Sequence, residues 1–484
     1  MSSNHSDATL SAQPESAAIV QLNELFTLQK RSAYENPYPL LEERLDWLDR
    51  LEKMMVANRR VFIESLESDF GSHPSFVTDL LETAAIMGRV RFFRRKLEEW
   101  MSPTDISLNP HAHGSSTAAT IPVPYGVVGN IAPWNFPVEC ALVMVVDMLA
   151  AGNRVILKPS PQAPASAKAV GEAVAEFFPE DVFATVNGGN DLTEAFPHKP
   201  WDHLTYTGSP AVGKIIMRAA AENLTPVTLE LGGKNPTVFA EDAIDDKLIK
   251  RFLDSRILKG GQVCTSPDYV FVPRAKRDEW VERAQRIWTE MYPSYVGHAD
   301  ATGVINESHF KRVVGYVEEA RAVGTNVISL NGEEYDEGKR QIPMYVVVDP
   351  SPELAVMTEE IFGPVTSICS YDSFDEVIAT INAGHSPLAS YLATYDQELT
   401  DKFVRKIKSG GVAINNFGSQ AGNPSIPFGG VGNSGMGCHS GYEGFLNYSH
   451  VKGIFYGSDD SMVVKAMELP YGEMGQALVK GIFR

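Results

Sequence analysis

Cysteine is scarce in this chain. Only Cys140, Cys264, Cys369 and Cys438 occur among 484 residues, and no two share a CxxC spacing. Such usage offers neither a disulfide framework nor a zinc cage, and it suits a reducing compartment. Basic residues are also in deficit: 42 Lys and Arg stand against 61 Asp and Glu, a formal net charge of −19. Nucleic acids and anionic membranes require a basic surface, so neither is expected as a partner. The 11 histidines form no HExxH. His111 and His113 would share one face of a strand, but a polar loop is the simpler reading, and no metal is expected. Long apolar runs are missing too. The most apolar stretch, 140–151, carries Asp147 and falls short of the ~20 residues that cross a bilayer. Residues 1–8 lack the basic and apolar regions of a signal peptide, which leaves the cytoplasm as the expected setting.

What is present is ordinary globular material, 44% hydrophobic and 21% charged, with a length that suggests about three domains. Residues 1–15 are small and polar, the composition of a disordered tail. From 16 to 100 the spacing is helical: Ile19, Leu22 and Phe26 share one face, Leu41, Leu45, Leu48 and Leu51 another, and Phe92-Phe93-Arg94 closes a third helix. The stretch 102–120 reads as irregular chain or a hairpin arm. Strands are then expected at 126–132, 153–158, 182–186 and 203–207, with a helix from about 138 and another bearing Ala167, Val170, Val174 and Phe177. Strands alternating with helices predict an α/β fold whose parallel sheet is covered on both faces and binds ligands at its carboxyl ends. A second α/β region starts at Pro236, with helices near 242–258 and 275–290 and strands near 346–348, 364–368 and 411–416. No internal repeat is visible.

Chemistry concentrates in two stretches. Cys264 follows Gly260-Gly261-Gln262 and precedes Thr265-Ser266-Pro267, a small polar loop of the kind that carries reactive residues on a rigid scaffold. A thiol attacks as thiolate, so it needs a neighbour that lowers its pKa or takes its proton. Glu230 is a lone carboxylate between Leu229 and Leu231, ahead of Gly232-Gly233. Desolvation would raise its pKa toward the range of a base near neutrality. The pair suggests covalent catalysis followed by hydrolysis; a small buried cysteine and a strand-end charge are the plain alternatives. Thr207-Gly208-Ser209, running to Gly213, is a glycine turn that enters a helix, where free N–H groups can meet a phosphate. It is not GxGxxG, and many such turns are purely structural.

With these stretches in view the chain resembles the NAD(P)-dependent aldehyde dehydrogenase superfamily. The resemblance rests on Pro133-Trp134-Asn135-Phe136-Pro137, Lys158-Pro159-Ser160, Thr207-Gly208-Ser209, Leu229-Glu230-Leu231-Gly232-Gly233-Lys234-Asn235-Pro236, Gly261-Gln262-Val263-Cys264, Glu359-Glu360-Ile361-Phe362-Gly363-Pro364 and Pro427-Phe428-Gly429-Gly430. These motifs run in the family's order from about 120 to 450. Val431 to Gly437 and Phe445 to His450 resemble the class-3 branch and, within it, the bacterial coniferyl-aldehyde dehydrogenases.

The resemblance implies a Rossmann-like cofactor domain at 120–228 preceded by N-terminal helices at 1–101, a catalytic domain at 229–444, and a bridging arm at 102–119 that joins 445–484 to complete a homodimer. It implies that Cys264 attacks an aldehyde, that Asn135 and the Cys264 N–H hold the oxyanion, and that Glu230 activates the water that hydrolyses the thioester. NAD or NADP would be held by Lys158, Ser160, Gly208, Ser209, Gly213, Trp134, Leu231, Gly232, Glu360 and Phe362. Phe136, Glu139, Cys140, Asn416 and Phe417 are candidates for the substrate mouth. One position departs: Pro161 stands where many members carry Glu after Lys-Pro-Ser. Oxidation of an aromatic or cinnamyl-type aldehyde is the expected reaction. Medium or long-chain aliphatic aldehydes, transfer of the acyl group to coenzyme A, and a catalytically silent binding protein are the alternatives.

Overall fold

A computed structural model describes residues 16–483. Residues 1–15, expected to be disordered, lie outside the described residues. Three sheets organise the chain. The first has six strands in the order Gly435–Met436, Val227–Leu231, His203–Gly208, Val127–Ile131, Arg154–Lys158 and Phe183–Thr185. All its pairings are parallel except that of Gly435–Met436, which runs antiparallel along Val227–Leu231. The second has seven strands ordered Asn326–Ser329, Tyr345–Val348, Val365–Tyr371, Tyr269–Pro273, Pro236–Phe239, Ala389–Ala393 and Gly411–Ile414, parallel apart from the first edge strand. The central strands read as continuous apolar runs because helices cover both faces.

The run 140–151 is not a membrane segment. It forms helix Glu139–Ala150, buried on every side within the core that helices Leu41–Ala57 and Ala85–Met101 share with the first sheet. Its one internal charge, Asp147, is buried and accepts from Arg89 at 3.4 Å and from the Ser440 N–H at 2.7 Å. Among the described residues no helix is long and apolar enough to cross a membrane.

The hairpin reading of 102–120 matches the structure. Thr104–Ile106 pairs antiparallel with Thr117–Pro124, and Ser449–Tyr456 pairs along the other edge of Thr117–Pro124 over eight registered positions. His111 and His113 lie in the short helix Pro110–His113 between the two strands, not on a strand face, because Asn109 caps a turn started by Pro110. The boundary expected between 228 and 229 falls inside strand Val227–Leu231, which pairs as one unit with His203–Gly208. The chain leaves the first sheet at Gly232-Gly233. Residues 435–436 return to that sheet, and Phe445 and Tyr448 join its core.

Candidate active site

The parallel strands of the first sheet end on one side, and the candidate residues collect there. Lys158 ends strand Arg154–Lys158, Gly208 ends His203–Gly208, Glu230 is the penultimate residue of Val227–Leu231, and Asn135 lies in the loop after Val127–Ile131. This is the carboxyl side expected of such a sheet. The second sheet contributes with the opposite polarity. Cys264 precedes Tyr269–Pro273, Glu360 and Phe362 precede Val365–Tyr371, and Lys234-Asn235 precede Pro236–Phe239. The amino ends of the second sheet therefore supply residues that join the carboxyl ends of the first.

The Cys264 loop is fixed by its backbone. Lys259, Gly260 and Gly261 all have positive φ, 51°, 62° and 73°. A Cβ on Gly261 would lie 2.5 Å from the Gly363 carbonyl carbon, so only glycine lets this loop touch the Glu360–Phe362 segment so closely. Asn235 donates from Nδ2 to the carbonyls of Cys264 at 2.7 Å and Ser266 at 3.0 Å, while its Oδ1 accepts from the Ala389 N–H at 2.9 Å. Lys234 donates to the carbonyls of Val356 and Glu359 at 2.9 and 2.8 Å and pairs with buried Asp268, which in turn accepts from the Ile361 N–H at 2.8 Å. The Lys-Asn of the Gly-Gly-Lys-Asn motif thus holds two loops in register.

Asn135 is buried and donates from Nδ2 to the Gln262 carbonyl at 3.1 Å. Gln262, which the sequence offered only as a neighbour of Cys264, is fully buried. It donates to the carbonyls of Lys259 at 2.9 Å and Gly303 at 3.0 Å and accepts from the Ile305 N–H at 3.0 Å. Two residues upstream of the thiol, the backbone is therefore tied to the Asn135 loop.

Glu230 lies between Thr207 and Gly435 in the sheet register. Gly435 has φ of 138°, and a Cβ there would lie 2.0 Å from the Leu229 carbonyl oxygen, so the close pairing beside Glu230 depends on glycine. Both carboxyl oxygens of Glu230 are buried with no hydrogen-bond partner among the described residues. Burial raises its pKa well above the usual carboxylate range, opposed by the charge of Arg89. Glu360 is pushed up to about 8, chiefly by burial and then by Asp268. Glu139 is pushed up to about 7 by burial, with Arg89 opposing. Burial and the charges of Glu360, Glu230 and Glu139 all push the Cys264 thiol upward. A backbone hydrogen bond at Cys264 acts the other way but is outweighed, so the surroundings disfavour a resting thiolate.

The residues expected to hold a nicotinamide cofactor fit such a ligand. Lys158 is 1% exposed, yet its ammonium has no hydrogen-bond or ion-pair partner among the described residues, and burial lowers its pKa to about 8. A buried cation of this kind needs acceptors from elsewhere. Ser160 is buried and accepts from the Gln162 N–H at 3.3 Å. Ser209 caps helix Pro210–Ala221, and Thr207 Oγ1 is buried without a partner among the described residues. Gly208 and Gly213 clear space: a Cβ would lie 2.1 Å from the Tyr206 hydroxyl in one case and 2.8 Å from Leu231 Cδ2 in the other. Leu231 therefore packs helix against strand. At Gly232 a Cβ would lie 2.2 Å from Glu360 Oε2. The Trp134 ring meets Phe362 edge-on at 5.4 Å and His309 at 4.6 Å, joining the two halves of the site.

The residues expected at the substrate mouth are placed as follows. Phe417 is buried in the core of the second sheet, stacked on Phe239 at 5.8 Å, because its ring completes the apolar cluster of Phe252 and Tyr391. Asn416 folds its own turn by accepting from Ser419. Phe136 is buried beneath the Lys259 ammonium, 4.1 Å from the ring centre. Glu139 and Cys140 begin a helix after Asn135 and share a side-chain hydrogen bond, and the Glu139 charge pushes the Cys140 thiol upward. Arg89, Gln262 and the buried Glu82 were not singled out from the sequence. Glu82 carried the signal that marked Glu230, a carboxylate among small and apolar neighbours, Leu80-Leu81 and Ala84-Ala85.

Residues 37–454 match the aldehyde dehydrogenase family. The chain is 38% identical to a coniferyl aldehyde dehydrogenase of a Pseudomonas species, over 94% of either chain. It is 32% identical to the dimeric NADP-preferring aldehyde dehydrogenase of Mus musculus, over 85% of this chain and 89% of that one. Among solved structures, a substrate-bound AldH of Staphylococcus aureus superposes with a TM-score of 0.89 at 28% identity, covering 96% of this chain and 99% of the other.

Proposed function

Because the chain belongs to the aldehyde dehydrogenase family, we propose that it oxidises a hydrophobic aromatic or cinnamyl-type aldehyde, such as coniferyl aldehyde, to the acid through a thioester on Cys264. What supports the chemistry is that Cys264 precedes an amino end of the second sheet, the charge of Glu230 acts on its thiol, and Asn135 is tied to Gln262 two residues upstream. Support for the substrate class is the 38% identity to a coniferyl aldehyde dehydrogenase.

The residues act as follows. The Cys264 thiol gives up its proton to solvent as sulfur adds to the aldehyde carbon, while Glu230, whose two oxygens have no hydrogen-bond partner among the described residues, is kept for the later step. The oxyanion that forms is met by the amide of Asn135, already held beside the loop by Gln262, and by the Cys264 N–H. Bound NAD or NADP supplies a hydride acceptor. Lys158, Ser160 and the Ser209 end of the helix would hold the nucleotide, and Glu360, Trp134 and Phe362 the nicotinamide end. Glu230 then takes a proton from the water whose oxygen adds to the thioester carbon, the C–S bond breaks, and that proton passes to the departing Cys264 sulfur as the acid is released. A carboxylate base at the thioester favours water over coenzyme A as acceptor; omission of coenzyme A from a turnover assay is expected to leave the rate unchanged.

The working form is proposed to be a cytoplasmic homodimer with the cofactor and catalytic domains divided after Gly232-Gly233. The arm strand Ser449–Tyr456 leaves Val451, Phe455 and Tyr456 exposed, as a strand awaiting a second subunit would, and the mouse relative is described as dimeric.

The test of substrate class is a panel of acetaldehyde, an aliphatic series, benzaldehyde and cinnamyl aldehydes. The expected result is a kcat/KM for coniferyl aldehyde at least about tenfold above that for acetaldehyde, given that each buried methylene is worth about 0.8 kcal/mol. Equal values would remove the cinnamyl assignment.

Cofactor selectivity gives a second expectation. Lys158 has no carboxylate partner, and the exposed Pro161 follows Ser160 where a Glu would repel a 2′-phosphate. NADP+ is therefore expected to serve alongside NAD+. Pro161→Glu should lower kcat/KM for NADP+ by about tenfold while leaving that for NAD+ within about twofold, one such repulsion being worth roughly 1–2 kcal/mol. A ratio that does not move would locate discrimination elsewhere.

A further inference from the structure

Glu82 and Lys259 form an ion pair in which both side chains are 0% exposed. Glu82 sits in a π-helical turn, Thr78–Ala84, a distortion that often marks functional positions. Besides Lys259, its carboxylate serves the first turn of the helix that follows Asn135: Oε2 accepts from the N–H of Val138 at 3.1 Å and of Glu139 at 2.8 Å. Lys259 stands on the other loop, five residues before Cys264, and its ammonium also lies over the Phe136 ring at 4.1 Å. The connections close into a ring. Glu82 holds the Asn135 loop from one side, Asn135 donates to Gln262, Gln262 donates to the Lys259 carbonyl, and Lys259 returns to Glu82.

A buried ion pair of this kind is seldom needed for stability, since well-packed neutral side chains of similar volume commonly do as well. What it provides is geometry: two oppositely charged ends have one low-energy arrangement in a dry site. We propose that the Glu82–Lys259 pair is a positioning device that fixes the Asn135 amide against Cys264, an inference that rests on the covalent reading above. Neither residue touches the reacting atoms. Both set where the oxyanion donor stands, and donor placement matters because a displacement of about 1 Å can cost about 100-fold.

The test is a cycle of variants of the full-length enzyme: Glu82→Gln and the paired Glu82→Gln/Lys259→Met, each in the wild-type and the Asn135→Ala background. The quantity read is the pre-steady-state burst of reduced cofactor with cinnamaldehyde. With Asn135 present, either change should slow the burst about tenfold or more with cofactor affinity unchanged. In Asn135→Ala, already slowed by about 10²–10³, a further loss under about twofold is expected, because the donor being placed is gone. Glu82→Gln keeps the volume and an acceptor for the Val138 and Glu139 N–H groups but leaves the Lys259 ammonium buried without a counter-charge, so the paired variant, neutral at both positions, carries the comparison should the single one fold poorly. The same fold-loss in both backgrounds, or no loss with Asn135 present, would overturn the proposal. An unaltered burst in Asn135→Ala alone would overturn the oxyanion assignment on which it rests.

Discussion

Cys264→Ala should abolish aldehyde oxidation, with kcat falling by at least about 10⁴-fold, the scale on which removal of a covalent nucleophile disables an enzyme. The structure explains why so large a loss would come without unfolding. The loop is held through the Cys264 carbonyl, which accepts from Asn235, and through Gln262 and the glycines before it. None of these uses the sulfur. Losing the single half-buried sulfur costs on the order of 1 kcal/mol. The groups assigned to the nucleotide, Lys158 and Ser209 among them, lie on the first sheet and its following helix. Cofactor binding, followed by quenching of tryptophan fluorescence, should therefore survive with a dissociation constant within about threefold of wild type, a change below about 1 kcal/mol. A folded variant that still turned over at a substantial rate would remove Cys264 from the mechanism.

How much of this site was legible in the sequence follows from which interactions are local. Strands such as Val127–Ile131 and Arg154–Lys158 were visible because they are buried on both faces and flanked by glycine turns, so their apolar runs are continuous. Strand Tyr269–Pro273 was not picked out, since it follows directly on the Cys264 loop with only Pro267-Asp268 between. Ala389–Ala393 holds Ser390 and Tyr391, whose polar atoms blurred an alternation that burial makes irrelevant. The edge strand Asn326–Ser329 is half-exposed and antiparallel, against the βα rhythm around it.

The site divided in the same way. Cys264, Glu230 and the Ser209 turn announced themselves by local composition. The ties between them did not, because Asn135 to Gln262, Glu82 to Lys259 and Arg89 to Asp147 each join residues far apart in the chain. The packing of Phe417 was hidden for a related reason: its stacking partner, Phe239, lies on a strand far away in the chain. The polarity of the second sheet was equally hidden. Alternating strands and helices indicate parallel pairing, but not which end of a sheet faces its neighbour.

Glu230→Gln should leave the first turnover and arrest those that follow. If Glu230 acts on water after the thioester forms, a burst of about one reduced cofactor per active site is expected, and steady turnover should fall by about 10²–10⁴-fold, the usual contribution of a positioned base. Burst and steady state falling together would mean that the carboxylate acts chiefly on the thiol. The pH dependence has a definite sign. Burial raises the pKa of Glu230, and only its deprotonated form can accept a proton, so wild-type turnover should climb with pH well above the usual carboxylate range, and the variant's residual rate should lack that limb. Stability should run the other way. A carboxyl whose folded pKa lies above its unfolded one binds its proton more tightly in the native state, so its contribution is fully present below the usual carboxylate range and is lost as pH rises through the raised value. Gln cannot ionise and pays no such penalty. Thermal melting should show the variant equal to or below wild type in acid and more stable in alkali, with the difference growing as pH increases. A wild type that keeps its advantage at alkaline pH would mean that the buried carboxylate finds a partner there, and that Glu230 is held for structure and not for transfer of a proton.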